Sequence, residues 1–165
     1  MEEFEIVIIR DGRQTVKRDW VTTEMPLTLV INGQELVTLT CTPTEIKELV
    51  TGFLYTSGLI QDAGEILSFS FDDTRGVANV RIPAGNFNPE ILNKRIYTSG
   101  CGKGVMFYQL ADLTRKNKIT ASPSISVPRL LELMKEFQSS SPEYRRTGAV
   151  HSAAIAIGEG IIKVT

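Results

Sequence analysis

With 165 residues, a net charge of −1 and two cysteines, the chain is large enough for a domain with a real core. It lacks the positive excess of a broad nucleic-acid or membrane-binding face, and two widely spaced cysteines do not make a disulfide framework. No apolar run approaches the roughly 20 residues of a membrane span, and the acidic start MEEFEIVII lacks a signal peptide's basic region and cleavage site. The expectation is a reduced, cytoplasmic protein with neither nucleic acid nor membrane as partner.

Phe4 to Arg10 is rich in β-branched residues and predicts a strand ending at the turn Asp11-Gly12. Leu27–Ile31 and Glu35–Cys41 predict a hairpin around Asn32-Gly33, because both turn residues tolerate positive φ. In its second strand Val37, Leu39 and Cys41 share a face, so Cys41 is expected to pack as a small hydrophobe. Thr42-Pro43-Thr44-Glu45 reads as a capping box, with Ile46, Leu49, Val50, Phe53 and Leu54 following at helical spacing up to a stop at Gly58. Gly52 inside that helix suggests close packing.

Ile66–Phe71 and Val77–Ile82 predict a second hairpin around Asp73-Thr74-Arg75-Gly76. Asn86–Pro89 reads as a turn, Lys94–Tyr97 as a short strand and Met106–Lys116 as a weakly patterned helix. A better-patterned helix runs from Val127 to Phe137 behind Ser126 as cap, broken by Ser139 to Pro142. Ser152–Ile157 and Ile161–Val164 predict a last hairpin. Hairpins interspersed with helices give α+β or mixed α/β.

The chemistry concentrates in Thr98-Ser99-Gly100-Cys101-Gly102-Lys103-Gly104. Glycines at 100, 102 and 104 let backbone N–H groups converge on one point. Lys103 adds charge two residues from the thiol, and a helix starting soon afterwards would add the positive potential of its N-terminus. Each lowers a thiol's pKa below about 8.5. That is the setting of a nucleophilic or sulfur-carrying cysteine; composition alone leaves a packed turn cysteine equally open. The stretch is not a phosphate loop, since Gly104 stands where Ser or Thr belongs, and Val105 breaks a dinucleotide fingerprint.

His151, the lone histidine, lies after a glycine and before a strand. Arg145 and Arg146 read as a phosphate-binding pair or as a solvated one. No metal is expected: one histidine and two distant cysteines do not make a zinc site, and neither H-x-E nor C-x-x-C of a zinc deaminase is present. Gly-x-Ser-x-Gly is also absent.

Four segments in order carry a resemblance: Glu24-Met25-Pro26-Leu27 with Ile31-Asn32-Gly33; Thr42-Pro43 with Glu48–Leu54 and Gly58-Leu59-Ile60; Ser99–Gly102; and Thr147–Ala154. Together they resemble the formate dehydrogenase accessory sulfurtransferase family, FdhD. The resemblance implies a protein that accepts sulfur from a cysteine desulfurase as a persulfide. It passes that sulfur to the molybdenum bis-molybdopterin guanine dinucleotide cofactor, its cargo rather than a permanent group, for formate dehydrogenase maturation.

On that resemblance Cys101 is the persulfide residue, with Gly100, Gly102, Lys103 and Gly104 stabilising its thiolate. Arg145, Arg146 and His151 are candidates to line the cofactor cleft. A cytidine-deaminase-like fold and a homodimer are also implied. The chain is expected to divide into residues 1–83, hairpins and a helix, and residues 84–165, an incomplete deaminase-like part, the family's C-terminal Gly-Arg-His-Asn region lying beyond. Many members carry Cys-x-x-Cys; here Thr98 and Gly104 flank Cys101 at that spacing, so one sulfur must suffice. The rival readings are a cofactor-binding chaperone without covalent chemistry and a nucleotide-metabolising hydrolase.

Overall fold

Asn32 and Gly33 turn the chain through the left-handed region, at φ 50° and 82°, in a computed structural model that describes residues 1–86, 95–97, 105–107, 124–157 and 160–164. The strands they join are β3 (Met25–Ile31) and β4 (Gln34–Cys41). Of the strands before them, β1 (Glu2–Arg10) was expected from sequence and its antiparallel partner β2 (Arg13–Val21) was not. Polar residues crowd RQTVKRDWV and hide the alternation. The described chain forms several sheets and three helices, a mixed α/β arrangement.

Two compact units emerge, Glu24–Thr120 and Met1–Thr23 with Ala121–Thr165. This differs from a division at residues 83 and 84. The physical reason is that side chains of β2 and the residue after it bond to residues 143–147, as described below.

In the first unit β5 (Ser68–Asp72) and β6 (Val77–Arg81) form the second expected hairpin. β6 then lies parallel to β3, giving the order β4-β3-β6-β5. Two devices hold this crossover pair at its ends. The Asn32 side-chain oxygen accepts from the Ile82 N–H at 3.0 Å, and the Asn32 N–H donates to the Val80 carbonyl at 2.9 Å. At the other end Gly76, at φ 63°, offers its carbonyl to the Thr28 N–H at 2.7 Å, and a Cβ there would overlap the Pro26 carbonyl oxygen.

Leu27, Leu29 and Ile31 of β3 alternate into the core with Ala78 and Val80 of β6. Helix α1 (Ile46–Thr56) covers them with Ile46, Val50 and Leu54, spaced by four. Its start corrects the expected capping box. Glu45, not Thr42, precedes the first turn; it is left-handed at φ 49° and makes no side-chain cap bond. The bend at Pro43–Glu45 brings Ile46 into the core, so burial rather than capping sets the entry. The expected stop at Gly58 is present as a Schellman motif: the Gly58 N–H reaches Tyr55 and the Leu59 N–H reaches Leu54. Gly52 is a second correction, because a Cβ there meets nothing within 4 Å. Cys41 packs half-buried against the core, with Leu39.

Farther along, β7 (Arg95–Tyr97) pairs antiparallel with β8 (Val105–Phe107). Val105–Phe107 is thus a strand where Met106 was expected to open a helix; the remainder of that expected helix lies outside the described residues. Cross-strand pairing, invisible in the local pattern, decides it.

The second unit contains β1 and β2, α2 (Val127–Ser140), α3 (Pro142–Thr147), and the antiparallel pair β9 (Ala154–Ile157) and β10 (Gly160–Val164). Ser126 caps α2 as expected, accepting from the Arg129 N–H at 3.4 Å, with Pro128 in the first turn. The expected break at Ser139–Pro142 contains a second helix start. The Ser141 hydroxyl accepts from the Tyr144 N–H at 3.3 Å, and Gly148 at φ 64° ends α3.

Candidate functional site

Residues 98–104 connect two paired strands, with Tyr97 directly opposite Val105. Cys101, Gly100, Gly102, Lys103 and Gly104 lie outside the described residues. The strand at Val105–Phe107 removes a helix N-terminus beginning there from the electrostatic argument. The glycine amides and Lys103 remain as the candidate sources of positive potential.

The other cysteine has a settled environment. Burial pushes the Cys41 thiol pKa above its ordinary value, and the Glu24 carboxylate adds in the same direction. Both effects disfavour the thiolate, which is the nucleophilic form. Cys41 is a packing residue with a chemically quiet sulfur.

His151 lies in the second unit, on the segment that leaves α3 through Gly148. It is exposed and borders an open cleft of about 490 Å³. Met134, Phe137 and Gln138 of α2 form one side, Ser141 and Tyr144 a second, and Val150, His151 and Ser152 the third. The lining is mainly apolar and aromatic, with an imidazole, an amide and hydroxyls at its polar points. Neither Arg145 nor Arg146 lines it. The Arg146 guanidinium instead stands over Trp20, 5.5 Å from the ring centre, within cation–π range. Arg145 is an exposed residue of α3's last turn.

A short polar network holds α3 and the start of the His151 segment. The Thr22 hydroxyl donates to Glu143 Oε1 at 2.8 Å and lies 3.3 Å from the Thr147 hydroxyl. Thr147 Oγ1 donates to the Glu143 carbonyl at 2.9 Å and accepts from the Ala149 N–H at 3.2 Å. Sequence reasoning passed over Thr22, Glu143 and Tyr144. The Ser141-Pro142-Glu143 start and the Gly148 stop were the available signal for α3; nothing local pointed to Thr22, more than 120 residues away. Among the described residues no group of three or more histidine, cysteine, aspartate or glutamate side chains gathers as metal ligands. None of the described helices is long and apolar enough to cross a membrane.

Residues 22–165 match the model of the FdhD/NarQ family. A sulfur carrier protein FdhD of Bacillus pumilus (strain SAFR-032) is 40% identical over 147 residues, covering 88% of this chain and 56% of its own length. The sulfur carrier protein FdhD of Bacillus subtilis (strain 168) is 39% identical over 156 residues, covering 92% and 58%. The chain thus spans less than two thirds of the length of these curated relatives. A crystal structure from Desulfotalea psychrophila, of a protein assigned as a formate dehydrogenase accessory protein, superposes with a TM-score of 0.65 at 18% identity. It covers 99% of this chain and 60% of its own, and supports the mixed fold. By the extent of the family match, this chain is a member of the FdhD/NarQ family.

Proposed function

We propose that this chain carries the sulfur-accepting part of a sulfur carrier, with Cys101 as the persulfide residue. The observation that carries the reading is the contrast between the two cysteines. Cys41 is packed and its pKa is raised, leaving Cys101 as the available nucleophile in a chain whose relatives are sulfur carriers.

The Cys101 thiolate attacks the outer sulfur of a cysteine desulfurase persulfide. One S–S bond forms as another breaks, and the desulfurase thiolate leaves, so no net oxidant is needed. The amides of Gly100, Gly102 and Gly104 and the charge of Lys103 would stabilise the sulfur anion before and after transfer. Delivery to the molybdenum bis-molybdopterin guanine dinucleotide, the substrate, cleaves the Cys101 S–S bond and consumes two electrons, which a thiol reductant supplies. Formate dehydrogenase then receives the sulfurated cofactor. The cleft beside His151 is the candidate seat for an uncharged portion of that cofactor, and exposed Arg145 the candidate for a phosphate. This reading sets the reaction in the reducing cytoplasm and takes the working form as a homodimer.

Intact-mass measurement after incubation with a cysteine desulfurase and cysteine tests it. A gain of about 32 Da is expected, retained in Cys41→Ala and lost in Cys101→Ala. No gain in the unaltered chain would replace the carrier with a chaperone that holds the cofactor without covalent chemistry.

A further inference from the structure

The second unit leaves one apolar layer half covered. Helix α2 buries Leu133, at 8% exposure, and half-buries Phe137. Leu130 and Leu131 on its adjoining flank remain open, Leu131 at 57%. On the neighbouring hairpin the half-buried side chains, Ile161 and Val164, sit opposite Ala156 and Ala154. Ile155 and Ile157 point to the opposite face by strand alternation, and Ile157 is 68% exposed. Ile162, beside the register shift, is exposed as well.

Two strands set about 4.8 Å apart are narrower than a helix, whose diameter with side chains is about 10–12 Å. A two-stranded sheet therefore cannot underlie both flanks of α2. Two strands are also too few for independent stability in water; a third strand or a second packed layer is the ordinary remedy. The open helix flank, the bare isoleucine face and the missing width are one deficit seen from three sides.

The relatives supply material to meet it. Roughly two-fifths of their length lies outside the matched region, in the sulfur carriers and in the superposed structure alike. We propose that this remaining region of a family chain is the occupant. It adds at least one strand beside β9–β10, so that the widened sheet underlies Leu130 and Leu131, and it lays apolar side chains on Ile155 and Ile157. The inference is independent of any sulfur chemistry.

Co-expression tests it. The tagged 165-residue chain is produced together with the unmatched region of the Bacillus pumilus relative, and the purified product is compared with the chain alone by hydrogen exchange. A one-to-one complex is expected, with at least tenfold slower exchange at residues 130–131, 155, 157 and 162. Leu131→Lys and Ile157→Lys should each lower recovery of the complex at least tenfold. Both positions are exposed in the isolated chain, so circular dichroism of each variant alone should be unchanged. Val7→Lys, at an exposed apolar position of β1, should have no effect. Failure to co-purify, or protection confined to other residues, overturns the proposal. So does a stable dimer of the 165-residue chain alone that protects the same amides, because the occupant is then a second copy.

Discussion

The Arg146 guanidinium lies over the Trp20 indole at 5.5 Å, joining the end of α3 to β2. An arginine that reads in sequence as half of a phosphate-binding pair therefore has an aromatic partner within its own unit. Such a contact at a surface contributes about 0.5–1 kcal/mol. Arg146→Ala should lower the urea midpoint by that amount and alter Trp20 fluorescence, the only tryptophan signal in the chain. Arg145→Ala should change neither. Equal effects of the two substitutions would show that the arginines act as a solvated pair.

Thr22 and Glu143 should be coupled. Their hydrogen bond is part-buried and involves a carboxylate, a type that contributes about 1.5–3 kcal/mol. Thr22→Val and Glu143→Gln are each expected to destabilise the chain. In a double-mutant cycle the two losses should fall short of additivity by about 1 kcal/mol. Strict additivity would mean the contact contributes nothing.

Two glycines should respond in opposite directions to alanine. Gly76 is left-handed and abuts the Pro26 carbonyl, so Gly76→Ala combines backbone strain with a backbone clash and should cost more than about 2 kcal/mol. Gly52 is helical with open space around its Cβ position. Gly52→Ala should add roughly 0.5–1 kcal/mol by helix propensity. Chemical denaturation of both variants measures the contrast.

The two thiols should differ in rate and in pH response. In Cys101→Ala the remaining Cys41 should react with a thiol reagent at pH 7 at least tenfold more slowly than Cys101 does in Cys41→Ala. The raised Cys41 pKa also has a stability consequence. The folded chain holds that proton more tightly than the unfolded chain does. The contribution is therefore complete below the unfolded thiol pKa of about 8.5 and is lost as pH rises through the folded value. Urea midpoints at pH 7 and pH 10 should show a smaller alkaline fall in Cys41→Ala than in the unaltered protein.

Several features were legible because their causes are local. Asn32-Gly33, Gly58, Ser126 and Pro128 each act through the backbone of their own neighbourhood, and each does in the structure what its chemistry predicts. Thr42–Glu45 had a local signal too, and it lost. The gain from burying Ile46 shifted the helix start past the capping box. Trp20, Thr22 and Glu143 carried no signal, since each matters through a partner more than 120 residues away. His151 was singled out from sequence, but its cleft neighbours on α2 and α3 could not be, because no periodic pattern says which helix flank meets which segment.

The sequence by itself determined the turns, most of the strands, the better-patterned helices, the family, and Cys101 as the thiol with a reactive setting. These rest on backbone preferences and residue chemistry that act over a few positions. Only the tertiary structure decided that β6 runs parallel beside β3, that Val105–Phe107 is a strand, that Arg146 meets Trp20, and that Cys41 is held in its protonated form. Each of these depends on groups distant along the chain being brought together, and the free energy of such contacts exists only once the packing that creates them has formed.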